Sequence, residues 1–327
     1  MNLQRRNWVL TSLVMGLTGP SSIWAQSNWP DKPIRVISAG TPGGSSDIFV
    51  HIIESRMKDK LGQPLYIDNK PGAGGMTAAG LASVAPPNGL TLFVSNLATN
   101  AIGVSLYSKP TFNPQKDLPP IARLVTMTNA VAVRADSGIQ NMQQLMAILK
   151  SDRKRAFYGS AGIGTSSHLT GHMFGKAMGA DLTHVPYKGT AANLNALLAG
   201  EVLFSIDNLP IYTSHVKAGT LRLLAVTQAQ RLNNLPEIPT VQEAAGLPGF
   251  DVFSWFGLSA STGTPPAILE RLAAEVVATL KEPEIAEKIR AVGAEPAPLG
   301  PNEYKAFISD EVRKWSAIVK SSGASAD

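Results

Sequence analysis

The 327 residues are 44% hydrophobic and 16% charged, the proportions of a globular chain long enough for one large core or two medium ones. The formal net charge is only +5, and no Lys/Arg-rich run or basic stripe interleaved with aromatics accompanies it, which argues against nucleic acid as a partner. There is no cysteine, so disulfides, thiolate nucleophiles and cysteine zinc sites are excluded together.

Residues 1–25 read as a signal peptide cleaved near Ala25, because Arg5 and Arg6 precede an apolar run and small residues close it. The run falls far short of the ~20 residues a bilayer span requires. Residues 4–10 also weakly resemble a twin-arginine signal. Cleavage removes two arginines and no acid, which lowers the formal charge from +5 to +3.

The remaining chain opens with a buried strand over residues 34–40, a Pro-Gly-Gly-Ser-Ser loop, and a helix that stops at Gly62. A second strand over 65–68, the loop Pro71-Gly72-Ala73-Gly74-Gly75 and a small-residue helix over 76–85 repeat the unit. A third strand over 90–96 leaves through Ser95, Asn96, Thr99 and Asn100. Such alternation implies a mostly parallel sheet covered by helices. Residues 121–134 form an extended run too long for one average strand, read as a crossing into a second lobe. There Asn141 caps a helix over 142–150. A strand at 156–158 feeds a glycine and serine loop whose helix is capped by Ser166 and Ser167. Strands at 183–187, 202–206 and 221–227 and a helix at 191–199 follow. Residues 250–260 make the return crossing. A helix opened by Pro265-Pro266, a Pro-rich link at 294–301, a terminal helix and a frayed tail after Lys320 complete the chain. The expected lobes are residues 26–125 with 252–327, and 126–251.

Catalytic patterns are incomplete. Gly162-x-Gly164-x-x-Ser167 has Ser where a dinucleotide fingerprint has its third glycine. No P-loop is present, and Tyr158-Gly159-Ser160-Ala161-Gly162 lacks the first glycine of a nucleophile elbow. His168 and His172 have zincin spacing, but Leu169 stands where the general base belongs. No metal and no cofactor are expected. The glycine loops that open helices have the features of anion sites instead: small residues, first-turn amides and positive helix ends.

Six stretches carry a resemblance: PGGSSD at residues 42–47, NKPGAGG at 69–75, YGSAGIGTSSHLTG at 158–171, HVPYKGT at 184–190, LRLLAVT at 221–227 and LPEIPTVQEAAGLPGF at 235–250. Together they resemble the Bug family, the extracytoplasmic solute receptors of tripartite tricarboxylate transporters. The resemblance implies an α/β, two-lobed periplasmic binding protein fold of type II, each lobe a mostly parallel sheet flanked by helices, with the ligand cleft between the lobes. It implies a periplasmic, monomeric receptor, not an enzyme, that takes a small organic carboxylate and delivers it to membrane permease subunits. Mapped onto this sequence, it places Gly43, Gly44, Ser45, Ser46, Asp47, Asn96 and Thr99 on one lobe. Ser160, Gly164, Thr165, Ser166, Tyr187, Lys188, Gly189, Thr190 and Asp207 face them from the other. The chain departs from the family pattern at Val50-His51 and at Ala191-Ala192. Trp255 suits either the cleft or the core. Competing readings are an exported α/β enzyme acting on a small anion and a sensory module for a membrane kinase.

Overall fold

A computed structural model describes residues 29–107 and 113–326. The expected signal peptide and its cleavage near Ala25 lie outside the described residues. The strands are β1 (Ile34–Ser38), β2 (Leu65–Asn69), β3 (Thr91–Asn96), β4 (Pro120–Arg134) and β5 (Phe157–Ser160), then β6 (Thr183–Pro186), β7 (Phe204–Asn208), β8 (Leu221–Val226), β9 (Phe253–Ala260) and β10 (Ala294–Leu299). They form one continuous sheet in the order β2-β1-β3-β9-β4-β7-β5-β6, with β8 and β10 also paired to β4.

The β-loop-α units pair as their rhythm predicts: β1 is parallel to β2 and β3, and β5 is parallel to β6 and β7. The two long runs behave differently, because β4 and β9 are antiparallel to every neighbour. Residues 120–128 of β4 pair with β9, and residues 129–134 pair with β7 and β8. One 15-residue strand therefore belongs to both halves of the sheet. Its side chains are buried along almost the whole length, which explains a run apolar on both faces.

Helices Ser45–Leu61, Met76–Ser83, Ser166–Met178 and Thr190–Ala199 follow β1, β2, β5 and β6 in turn. Parallel pairing brings the carboxyl ends of these strands, and hence the helix starts, to one edge of each half, where open α/β sheets hold their ligands. One core packs Ile34, Phe49, Ile53, Leu92, Phe256 and Leu272 between the first half of the sheet and its helices. Another packs Tyr158, Phe174 and Phe204 with Trp255 and Trp315, so the terminal helix Pro301–Ser322 contributes to the second half as well. Trp255 is fully buried, donates its indole N–H to Glu311 at 3.0 Å and meets Tyr304 and Phe307 edge-on. It is core, not cleft.

Four local readings change. The helix Ser166–Met178 is capped by Thr165, whose hydroxyl accepts the His168 amide, and not by Ser166 or Ser167. The polar exit after β3 is a wide π-type turn, Ala98–Ile102, continued by the short helix Gly103–Leu106. The Pro-rich link is β10, antiparallel to β4. The segment after Lys320 packs against the core through Ala324 and Ala326.

Candidate functional site

Between the two halves lies a cavity of about 680 Å³. From the first half it is lined by Ser45 and Ser46, in the first turn of the helix after β1, by Asn96 at the end of β3, and by the loop of residues 71–75. The Ser45 hydroxyl is buried and has no partner within the protein. Ser46 Oγ shares a 2.8 Å hydrogen bond with Ser38 Oγ. Asn96 Oδ1 accepts the Thr99 amide at 3.0 Å, which fixes the side chain at the cavity wall.

From the second half come Thr165 and Ser166, the turn Tyr187-Lys188-Gly189-Thr190, and Asp207. Thr165 Oγ1 donates to the Gly162 carbonyl at 2.7 Å, and Ser167 Oγ accepts the Ala161 amide at 2.9 Å, so hydroxyls tie the loop to its own helix. Tyr187 lends its backbone to the turn while its hydroxyl donates outward to Glu201 at 3.0 Å. Asp207 is 1% exposed and accepts from Asn193 Nδ2 at 2.7 Å and the Asn208 amide at 2.8 Å. Burial pushes its carboxyl up to about 6, against the lowering effect of those two donors.

The halves touch across the cavity. The Ser45 amide donates to Thr190 Oγ1 at 3.4 Å, and Gly189 lies so near Thr41 that a Cβ would stand 2.9 Å from its hydroxyl oxygen. Two helix starts thus meet across the cleft.

Ten of the sixteen expected residues line the cavity; Gly43, Gly44, Asp47, Thr99, Ser160 and Gly164 do not. Asp47 accepts the Gly43 amide at 3.1 Å, two contacts from Asn69 Nδ2 at 2.9 and 3.1 Å, and Ser38 Oγ at 3.2 Å. Its work is to shape the first loop. The Gly44 amide donates to the Thr41 carbonyl at 2.9 Å. Thr99 is buried and donates to Asn100 Oδ1 at 2.7 Å. Ser160 and Gly164 bond histidines behind the second loop.

Other cavity residues escaped the sequence reading. Asn208, whose buried Oδ1 has no partner within the protein, follows Asp207 at the polar end of an apolar strand, a signal that was available. Ser254 and Phe256 line the cavity because strand alternation turns them to the face opposite Trp255. Tyr107 arrives through a hydrogen bond to the Ala73 carbonyl at 2.6 Å, a contact no local pattern encodes.

Lys188 and Asp207 are the only formally charged side chains among the described lining residues, so side-chain charge sums to zero there. Negative charge is instead favoured by the starts of four helices, with Ser45, Gly75, Ser166 and Thr190 at the wall. No group of three or more His, Asp or Glu side chains suited to a metal ion occurs among the described residues. Nor is any described helix long and apolar enough to cross a membrane.

Two sheet halves joined through the long strand β4, with helix starts converging on the cavity between them, define a two-lobed periplasmic binding protein. The family model for TctC, the tripartite tricarboxylate transporter family receptor, matches residues 49–324, and the chain belongs to that family. BugT of Bordetella pertussis is 29% identical over 325 residues, 99% of this chain and 99% of the relative. The solved structure of R. palustris Rpa4515 with adipate has a TM-score of 0.88 and 31% identity, over 91% of this chain and 99% of that one. MatC from Rhodopseudomonas palustris with bound malate has a TM-score of 0.82 and 29% identity, over 89% of this chain and all of that one. The family is one of solute receptors, not enzymes.

Proposed function

We propose that the chain is an exported periplasmic receptor that captures a small organic carboxylate and delivers it to the permease subunits of a tripartite tricarboxylate-type transporter. The carrying observation is the convergence of four helix starts on one cavity whose side-chain charges cancel. The carboxylate is held by the hydroxyls of Ser45, Ser46, Thr165, Ser166 and Thr190 and by first-turn amides, while Asn96, Asp207 and Asn208 orient the rest of the molecule. Each helix start contributes about 0.3–1 kcal/mol, up to ~2 kcal/mol when partly buried. Charge-assisted hydrogen bonds add about 1.5–3 kcal/mol each. These magnitudes suit micromolar binding, near −8 kcal/mol. Adipate and malate in the related structures favour a di-acid of that size.

The lobes are assigned as residues 26–125 with 252–327 and 126–251, hinged on β4 and β9. A thermal-shift panel of adipate, malate, citrate and aspartate on refolded protein, with neutral adipamide as control, tests the reading. At least one acid should raise the melting temperature while adipamide leaves it unchanged. Equal shifts from acid and amide, or none from any acid, would sink it. Export is checked separately, since osmotic shock should release a protein beginning at Gln26.

A further inference from the structure

Behind the second loop lie the two histidines that Ser160 and Gly164 bond. His168, in the first turn of the helix Ser166–Met178, and His184 on β6 stack ring on ring, with centroids 4.0 Å apart and planes 17° apart. Tyr158 on β5 continues the stack at 5.1 Å from His184, and its hydroxyl donates to the His168 carbonyl at 3.0 Å. Each imidazole then reaches the loop. His168 Nδ1 lies 3.2 Å from the Gly164 amide nitrogen, and His184 Nε2 shares a 2.5 Å hydrogen bond with Ser160 Oγ, which in turn accepts the Gly162 amide at 3.1 Å.

The Gly164 contact fixes a protonation state. A backbone amide only donates, so Nδ1 of His168 must carry a lone pair, and the ring is the neutral Nε2–H tautomer. A proton on Nδ1 would set two N–H groups against each other. Parallel stacking also disfavours two charged rings 4.0 Å apart.

We propose that His168 and His184 are positioning residues for the ligand loop of residues 161–165, His168 holding its backbone through an unprotonated Nδ1 and His184 through the Nε2 hydrogen bond to Ser160 Oγ. The inference rests on the receptor reading given above. It gives the loop of Gly162, Ile163 and Thr165, which has no charged side chain of its own, two ring anchors.

The surroundings favour neutral rings. Burial, with His172 beside it, lowers His168 to about 4, and burial with His168 beside it lowers His184 to about 3. From the same helix, His172 is itself lowered by burial and by Lys176. On the flanking elements the acids are engaged elsewhere: Asp207 of β7 by Asn193 and its neighbour's amide, and Glu311 of the terminal helix by the Trp255 and Trp315 indoles at 3.0 and 3.3 Å. Tyr158 from β5 is pushed up by burial and stays neutral.

The test begins without ligand. Long-range proton–nitrogen NMR of the imidazoles should show His168 as the Nε2–H tautomer, still neutral well below its ordinary value of 6.5. An Nδ1–H tautomer, or protonation near the ordinary value, overturns the proposal. Two variants follow: His168→Phe keeps a ring without an acceptor, and His168→Asn places an amide oxygen near the position of Nδ1. In His168→Phe, Gly164 amide exchange should quicken at least tenfold and adipate bind at least tenfold more weakly by calorimetry. His168→Asn should stay within threefold on both. The affinity ratio of His168→Asn to the parent should rise as the pH nears 4, an effect in which adipate's own titration cancels. Equal losses in both variants, or none in either, refute the positioning role. If adipate fails to bind the parent, the receptor reading fails for that acid, while Gly164 exchange in the two variants still decides this one.

Discussion

The two glycine loops facing the cavity look alike in sequence and are held in opposite ways. The first, following β1, is organised by a carboxylate: Asp47 takes the Gly43 amide and both contacts from Asn69. In the second, following β5, neutral acceptors do this work: Ser160 takes the Gly162 amide, Ser167 that of Ala161 and His168 that of Gly164. In both, the glycine amides are already bonded to the protein. Glycine here supplies loop shape, and under the proposed function the anion falls to the serine and threonine hydroxyls and the first-turn amides beside them. The difference is electrostatic. A negative charge just behind the first loop opposes an anion in front of it, so under the proposed function the second loop should be the stronger attractor.

The largest test holds the loops apart. Gly189 has φ +98° and would place a Cβ 2.9 Å from Thr41 Oγ1 and 3.2 Å from Thr41 Cγ2. Gly189→Val should weaken carboxylate binding by about a hundredfold, near 2.7 kcal/mol. Small-angle scattering at saturation should show a larger radius of gyration than the parent. Unchanged affinity would mean that the lobes need not meet to bind. Next, Asp47→Asn retains one acceptor oxygen and turns the other into a donor facing the Gly43 amide and Asn69. A stability loss of about 1–3 kcal/mol is expected in denaturant melts. If the first loop keeps its shape, the variant should bind anions with a faster association rate, since the opposing charge is gone. A slower rate would contradict the electrostatic contrast.

Legibility followed the range of the interactions. The β-loop-α units, the glycine stop at Gly62 and the cap Asn141 are local events, and the sequence carries them. The strands β4 and β9 were legible as long extended runs because a run buried on both faces has no polar alternation to hide it. Their antiparallel pairing was not, since it depends on partners far away in the chain. At the site, the loops were found but the roles of their atoms were not. Motif spacing shows that Gly43 follows Pro42; it does not show that Asp47 reaches back to its amide. The stack of His168 on His184 joins a helix start to a separate strand, and only the fold brings the rings together.

Acid offers a graded test of the neutral loop. His168 at about 4 and His184 at about 3 lie below the unfolded value of 6.5, so between these limits the unfolded chain binds protons that the folded one refuses. Their contribution is complete above 6.5 and is lost as the pH falls toward their folded values. Asp207, raised from 3.8 to about 6, acts with the opposite sign, because the folded state takes its proton first. Those two histidines against that aspartate leave a net loss of about 1.4 kcal/mol per pH unit through pH 5, reduced by solvent at the half-buried rings, and His172, also lowered, adds to it in the same direction. Urea midpoints at pH 6, 5 and 4.5 should fall steadily, and Asp207→Asn should steepen the slope. A midpoint that rises with acid would show the carboxylate in command.

The smallest effect belongs to Gly43, and it separates shape from binding most sharply. If this glycine presented its amide to the ligand, a side chain there would cover the site and affinity would collapse. The geometry says otherwise. The amide is already donated to Asp47 at 3.1 Å, Gly43 does not line the cavity, and a Cβ would meet nothing within 4 Å. What the position requires is φ +76°, where an L side chain costs about 1–2 kcal/mol. Gly43→Ala should therefore lower stability by about 1 kcal/mol while carboxylate affinity stays within threefold of the parent. Calorimetry beside denaturant melts reads both quantities on one preparation. A tenfold loss of affinity with unchanged stability would return the Gly43 amide to the ligand and undo the distinction between loop shape and anion contact in the first lobe.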